Sequence, residues 1–600
     1  MISAKRAVSP LVVISGCIVL AWLLVSQLLV PSLIESVYQG HAFPAARNHF
    51  SGHMSKPLEF YLHKWNRISW EVLPVLIIVA VVALSRPGRR PLVLLLAVLF
   101  VATEMQLIGV YERAIWDDEG TTLLETAGNA WHSWPRGPAR AAEAKLFYRG
   151  SPPVSNITEG LRRRDVHPPV YYVLLAFWRR LFGFSIESAR MFSVICSLAS
   201  IVALYLLLRA GRTERPHISV LVYALSPVAA VFGSLARNYA LATLLIVGAA
   251  LAAFLAAKRI EQGRAGVAFA LAAATACGIA FQTNYLALFP AGVILLWLST
   301  CLWRRQRMLA LASPFLAVAI GSVGWSVLRS QLGARPEQAV GFQGWPLEIL
   351  SLVQVNAELL WDPRVFSTRA LRWGVLLLFC ALVFACLWGL TRTWRTVDRS
   401  FWILILGLAL APSAGLALLD CVFDKRLSDI SIYVGFAGPF LAVIVSRVIT
   451  VEIDSARRWA ALGLLGLVVL VEANGTNWGF EEGPMIHSGR PRTLARMIRE
   501  DASAGKIVFL DEGKYRSGLS AIFYELDPEI LVSCFPLRNQ AEEAWATVRS
   551  FPDVWVVLSD ETPLEAQRDF LSRFHRSGAY SDGEPHGERV YRFRRRAPGG

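Results

Sequence analysis

Residues 236–257 read ARNYALATLLIVGAALAAFLAA, and Lys258-Arg259-Ile260-Glu261-Gln262-Gly263-Arg264 follows directly. The stretch carries one charge, Arg237, near its start, and as a helix it is long enough to cross a hydrocarbon core of roughly 30 Å. Lipid offers backbone amides no partner, so such a run has to be helical. Its two ends differ in kind: a polar Arg-Asn-Tyr opens it and a basic loop closes it. Comparable apolar runs lie at 11–31, 71–87, 91–110, 168–184, 187–208, 216–233, 265–282, 284–303, 308–328, 372–391, 401–420, 429–448 and 457–474. The chain reads as mostly α, a polytopic transmembrane bundle of 13 or 14 spans, depending on how residues 168–208 are threaded.

Composition agrees. Of the 600 residues 54% are hydrophobic and only 18% charged, and the mean hydropathy is +0.45. The net charge of +15 is gathered into short loops at 86–90, 209–215, 258–264, 304–307 and 392–399. That is the positive-inside pattern, which points these loops at the cytoplasm and its anionic lipid and excludes a nucleic-acid partner. Only eight of the 60 basic residues are lysine, as in a GC-rich bacterial genome. These loops can all face one side only if 168–208 crosses the membrane once in net. Either the run beginning at Pro168 stays at the outer face, or 209–215 breaks the rule.

Lys5 and Arg6 precede the first run, and no A-x-A cleavage site follows it. The start reads as an uncleaved span with the N-terminus inside a bacterial inner membrane. His41, His49, His53 and His63 lie in the next loop. His49 and His53 have the i, i+4 spacing of a zinc pair, but without an acidic or cysteine partner a solvated loop accounts for them better. Six cysteines (Cys17, Cys196, Cys277, Cys301, Cys380, Cys386) sit in or beside apolar runs as small core residues. Nothing in the sequence pairs Cys421 with Cys534.

The chain divides into N-terminal spans with an extra hairpin (1–110), an outer loop (111–167), a transmembrane core (168–475) and a small α/β domain (476–600) placed outside the cytoplasm. In the last, 506–511, 530–534, 554–559 and 590–593 read as strands, and 492–502, 518–525, 540–549 and 563–574 as helices. Within the outer loop, 123–134 and 139–148 read as short interfacial helices anchored by Trp131, Trp134, Phe147 and Tyr148.

Polar residues collect where spans end. Trp116-Asp117-Asp118-Glu119 follows the third run, and a carboxylate at the hydrocarbon edge is partly desolvated, which suits it to act as a base. A solvated acidic loop is the bland alternative. His167-Pro168-Pro169 opens the next run with a rigid, extended backbone. Arg237 is either a snorkelling arginine or a guanidinium suited to a phosphodiester. Gln282-Thr283-Asn284-Tyr285 offers hydrogen bonds for sugar hydroxyls, and Asp424-Lys425-Arg426 forms a third polar break.

In order and spacing, these residues resemble the bacterial relatives of dolichyl-phosphate-mannose protein mannosyltransferases, GT-C glycosyltransferases that use polyprenyl-phosphate sugars. Trp116 with Asp118-Glu119, 167–172, 187–190, 236–241 and 283–285 carry the resemblance. It implies transfer of one sugar, with inversion, from a polyprenyl-phosphate carrier to a protein, lipid or glycan acceptor on the outer face. Asp118 matches the general base, with Asp117 beside it, and Glu119 positions the acceptor or the base. His167, Arg190, Arg237 and Tyr239 would hold the donor phosphate, and Asn284, Tyr285 and Arg426 the substrate. No cofactor or metal is required if arginines neutralise the phosphate, although a divalent ion stays open. Two spans more than the family carries precede the acidic loop, and Leu235-Ala236 stands where the family has a glutamate before the arginine. A transporter or flippase, or a non-catalytic assembly protein, is the alternative; the chain has no clear internal repeat of the transporter kind.

Overall fold

A computed structural model describes residues 91–113, 115–129, 134–164, 167–331, 344–361, 369–424, 427, 430–452, 491–500, 505–511, 518–559, 562–577, 579–580, 584–585 and 590–596. The runs at 11–31, 71–87 and 457–474, the four loop histidines and Arg426 lie outside the described residues.

The helices follow the apolar runs. In chain order they are α1 (Pro91–Glu112), α2 (Asp117–Thr126), α3 (Ala141–Leu146), α4 (Val154–Arg164), α5 (Pro169–Phe182), α6 (Ile186–Ala210), α7 (Pro216–Leu225), α8 (Pro227–Gly233), α9 (Tyr239–Glu261), α10 (Val267–Phe281), α11 (Leu288–Leu302), α12 (Arg307–Ser322), α13 (Trp325–Gln331), α14 (Trp345–Leu360), α15 (Arg369–Thr393), α16 (Arg399–Phe423) and α17 (Gly438–Glu452). Among the described residues seven helical stretches are long and apolar enough to cross a membrane, and nine if the bent pairs α7–α8 and α12–α13 each count as one. The other two runs fall short: α10 is an apolar helix of 15 residues and α5 has 14, about 21 Å against the ~30 Å needed.

Both bends have local causes. α7 ends where Pro227 removes a backbone donor, and Ser226, extended at ψ 147, caps α8 through Ala229 N. Between α12 and α13, bent by 64°, the Gln282 amide inserts and donates to the Gly321 carbonyl. A Cβ on Gly324 would sit 2.1 Å from Gln282 Oε1, so only glycine admits that side chain.

The basic loops among the described residues, at 209–215, 258–264, 304–307 and 392–399, gather at one end of the bundle. Lys258 Nζ pairs with Asp398 at 2.8 Å, Arg305 donates to the Ile260 carbonyl at 3.1 Å, and Arg447 reaches Thr393 Oγ1 at 3.4 Å. Gly211, beside Arg209 and Arg212, packs on the Phe401 ring. At the opposite end lie residues 113–119, 167–170, 234–239 and 282–285, with Val170 N donating to Gln282 O at 3.1 Å. The run starting at Pro168 stays at that end. Arg179, near the far end of α5, is buried and donates to Leu123 O at 2.8 Å and to the Thr126 hydroxyl, both on α2. Thus α6 alone runs from one end of the bundle to the other within 168–208, and the described basic loops share one end.

The C-terminal segment folds as the alternation predicts, with α18 (Pro491–Glu500), β2 (Lys506–Asp511), α19 (Gly518–Glu525), β3 (Leu531–Phe535), α20 (Leu537–Val548), β4 (Asp553–Val557), α21 (Leu564–Arg576), β5 (Glu584–Pro585) and β6 (Val590–Arg594). The sheet order is β1-β3-β2-β4-β6-β5, with β2 parallel to β3 and β4. The outermost strand, β1 (Ala139–Arg140), comes from the loop some 360 residues upstream and pairs antiparallel with β3, Ala139 opposite Val532. Parallel strands bury both faces. Ile507, Phe509, Val554 and Val556 point toward α20 and α21, whereas Val508, Leu510, Val532 and Trp555 share a core with Ile115, Trp134, Tyr148 and Ile186. The domain therefore sits on the outer loop, whose predicted helices at 123–134 and 139–148 shift to α2 and α3.

Candidate active site

Trp116, extended at ψ 153, starts α2, so the three acidic residues form its first turn. Carboxylates there are favoured by the helix dipole. Successive helical residues diverge by about 100°, which sends neighbouring acids in different directions. Asp118 leaves 61% of its side chain exposed, whereas Glu119 is fully buried. Asp117 opens the helix, and its side chain lies outside the described residues.

Glu119 is held from four sides. Arg190, on α6, donates from Nε to Oε1 at 2.9 Å and from Nη2 to Oε2 at 2.7 Å. Arg113 donates to Oε1 at 3.2 Å, and the Ala236 N–H reaches the same oxygen at 2.8 Å. The Trp116 N–H donates to Oε2 at 3.0 Å, the reach-back half of a capping box. Burial by itself raises the Glu119 carboxyl, but the charges of Arg190 and Arg113, together with these bonds, outweigh it and hold the group at about 2. Arg190 also donates to the carbonyls of Val110 and Arg113, at 2.8 and 2.9 Å. Arg190, which the resemblance sets beside the donor phosphate, is 1% exposed and bound bidentately inside the clamp. Arg113, unremarked in the sequence, is the second cation of the clamp, and its signal was an arginine directly past the end of a span.

Arg237 lies beside Asp118 in the turn between α8 and α9. Its Nη2 is 3.5 Å from Asp118 Oδ2 and donates to His167 Nε2 at 3.2 Å; an arginine has only donors, so the imidazole nitrogen accepts. Nη1 donates to Thr122 Oγ1 at 3.0 Å, Tyr172 Oη at 3.1 Å and the Asp118 carbonyl at 3.3 Å. Two segments distant from Arg237 in sequence, 118–122 and 167–172, thus converge on one cation, which is why the snorkelling reading fails here: the side chain is 4% exposed and turned inward. Tyr239, expected at the phosphate, is buried with its ring stacked on Phe232 at 4.8 Å.

Asn284 and Tyr285 were expected to meet substrate. Asn284 Oδ1 instead accepts from Leu286 N at 3.0 Å, capping the short turn that leads into α11, and its amide surface is buried. The Tyr285 hydroxyl donates to Gln331 Oε1 at 2.8 Å. Gln331 Nε2 in turn donates to the carbonyls of Leu161 and His167, at 2.9 and 3.1 Å. The buried Gln331 therefore fixes the backbone of His167, a role no local pattern marks. Gln331→Leu keeps the volume and strands these groups, and each buried unpaired group costs ~1–3 kcal/mol. A loss of about 2–3 kcal/mol in thermal stability is expected; an unfolding curve in detergent that matches wild type overturns the assignment.

The arrangement offers, among the described side chains, an exposed carboxylate flanked by a bound guanidinium and an imidazole, over an ionic clamp of one carboxylate and two guanidiniums. It can take a proton from a hydroxyl at the bundle surface and set positive charge beside the site where that hydroxyl reacts.

Residues 166–327 match the family model described as dolichyl-phosphate-mannose-protein mannosyltransferase. No curated protein matches the chain. Among solved structures, ArnT from Cupriavidus metallidurans in the apo state is 15% identical at a TM-score of 0.47, over 84% of this chain and 97% of that one. ArnT bound to undecaprenyl phosphate gives 14% identity and 0.44 over the same shares. The archaeal oligosaccharyltransferase AglB from Archaeoglobus fulgidus, in complex with an inhibitory peptide and a dolichol-phosphate, gives 11% and 0.43 over 78% of this chain and 69% of that one. The matched segment, 166–327, holds His167, Arg190, Arg237 and Asn284, and over that segment the chain is similar to the dolichyl-phosphate-mannose-protein mannosyltransferases.

Proposed function

We propose that the chain moves a single sugar from a polyprenyl-phosphate carrier to an acceptor hydroxyl at the outer face of a bacterial inner membrane, with inversion. The observation that carries this reading is the exposed Asp118 carboxylate 3.5 Å from Arg237, on a helix held by the Glu119 clamp. Asp118 takes the proton of the acceptor hydroxyl, and the oxygen attacks the anomeric carbon from the side opposite the phosphate. The bond between that carbon and the phosphate oxygen breaks, and its electron pair leaves on the polyprenyl phosphate. Arg237 and His167 supply charge and hydrogen bonds to that phosphate. A phosphate is already a competent leaving group, so orientation, deprotonation and charge compensation account for the chemistry. The end carrying Asp118 faces outside because the basic loops occupy the other end. The C-terminal domain then lies outside too, and the acceptor is a protein, lipid or glycan.

The test supplies membranes containing the chain with a panel of radiolabelled polyprenyl-phosphate hexoses and pentoses. Label is expected to pass from lipid carrier to an acceptor, with the opposite anomeric configuration. A carrier that changes leaflet with its sugar still attached would support the flippase reading instead.

A further inference from the structure

The C-terminal domain touches the acidic segment at two adjacent residues at the end of α19. Tyr524 Oη accepts from the Ile186 N–H at 2.9 Å, and Glu525 Oε1 accepts from the Ile115 N–H at 3.4 Å. Neither amide has a partner within its own helix: Ile186 is the first residue of α6, and Ile115 lies just before α2. Each is one step from the ionic clamp. Ile186 stands one helical turn before Arg190, and Ile115 two residues before the acidic turn. Around these bonds the join is aromatic. Trp134 stacks on Phe523 at 4.2 Å, and Tyr148 meets the Tyr524 ring edge-on at 5.5 Å. The Cys534 N–H donates to Pro135 O and the Ala141 N–H to Ile530 O, both at 2.8 Å, continuing the sheet into the loop.

We propose that the C-terminal domain is a positioning element for the acidic helix, with Tyr524 and Glu525 as its positioning residues. The route is short: α19 sets the starts of α2 and α6, these set Glu119 against Arg190, and Glu119 sets the direction of its neighbour Asp118. The proposal rests on the reading of Asp118 as the base. A domain that only handles acceptor would change acceptor KM when disturbed; a positioning element changes kcat, because it acts on the geometry of proton transfer.

The experiment uses the full chain in membranes and compares Tyr524→Phe, Glu525→Ala and Glu525→Gln. Amide hydrogen exchange is followed at Ile115 and Ile186, and kcat and KM are measured with whichever donor of the panel wild type consumes. Loss of one hydrogen bond is expected to speed exchange at the matching amide by about threefold to tenfold. It is expected to lower kcat by a similar factor, with both KM values within about twofold. Glu525→Gln keeps an oxygen that accepts, and so is expected to restore both readouts. Exchange unchanged at Ile115 in Glu525→Ala and at Ile186 in Tyr524→Phe overturns the proposal. Faster exchange with unchanged kcat also overturns it, leaving only a packing contact. Failure of the base reading shows separately, as Asp118→Asn retaining transfer while both amides stay protected.

Discussion

Asp118→Asn lowers kcat of sugar transfer by about 10²–10⁴-fold, the range that a positioned general base contributes, while the amount of folded chain stays level with wild type. The two halves of this expectation have separate physical grounds. Asparagine keeps the shape and an oxygen for Arg237 but cannot accept the proton. Stability barely moves because Asp118 is 61% exposed and its pair with Arg237 is 3.5 Å long. Solvent-screened pairs of that kind are worth ~0–1 kcal/mol. Asp118→Glu keeps the carboxylate but moves it by one methylene, and is expected to fall between the two. Steady-state transfer with equal chain in each membrane decides the matter; an asparagine variant within twofold of wild type removes Asp118 from the mechanism.

Glu119→Gln, one residue on, is expected to do the opposite and weaken the fold itself. It leaves Arg190 and Arg113 buried without a counter-charge, and breaking a buried pair at one partner costs ~3–5 kcal/mol. The loss reads out as a lower midpoint of thermal unfolding in detergent and less chain in the membrane. The pH dependence follows from the direction of the shift. The folded carboxyl sits at about 2, below its ordinary value of 4.5, so the folded state binds this proton more weakly than the unfolded state does. The clamp's contribution is complete above about pH 4.5 and drains away as the pH falls toward 2. Wild type is expected to lose stability through that window more steeply than Glu119→Gln, which has no such proton to take up. Parallel curves for the two chains between pH 7 and pH 3 would refute the clamp. Together the two substitutions separate adjacent carboxylates by what they do: one alters rate at constant fold, the other fold itself.

The legible part of this chain is the part written in local pattern. Among the described residues the apolar runs became helices, seven to nine of them long and apolar enough to cross a membrane, and the C-terminal alternation became β2, β3, β4 and β6 with their helices. Burial period and run length act within a dozen residues, so a single sequence displays them. The acidic turn and the residues around 167, 237 and 283 could be singled out because polar groups at span ends are conspicuous against an apolar background. Their partners could not. Whether the run at 168–184 spans was undecidable by charge alone; the structure answers it with a 14-residue helix pinned to α2 by a buried arginine.

By itself, the sequence determined that this is a polytopic helical protein with a small α/β region toward its C-terminus. Only the tertiary structure decided which of two neighbouring carboxylates faces outward. It also placed Arg190 in the clamp around Glu119, set Gln331 behind His167, and brought α19 onto the acidic segment. The reason is sequence distance. Arg190 reaches Glu119 across 71 residues and Glu525 reaches Ile115 across 410. No short-range period encodes contacts that form only when separate helices and a sheet edge close on one core.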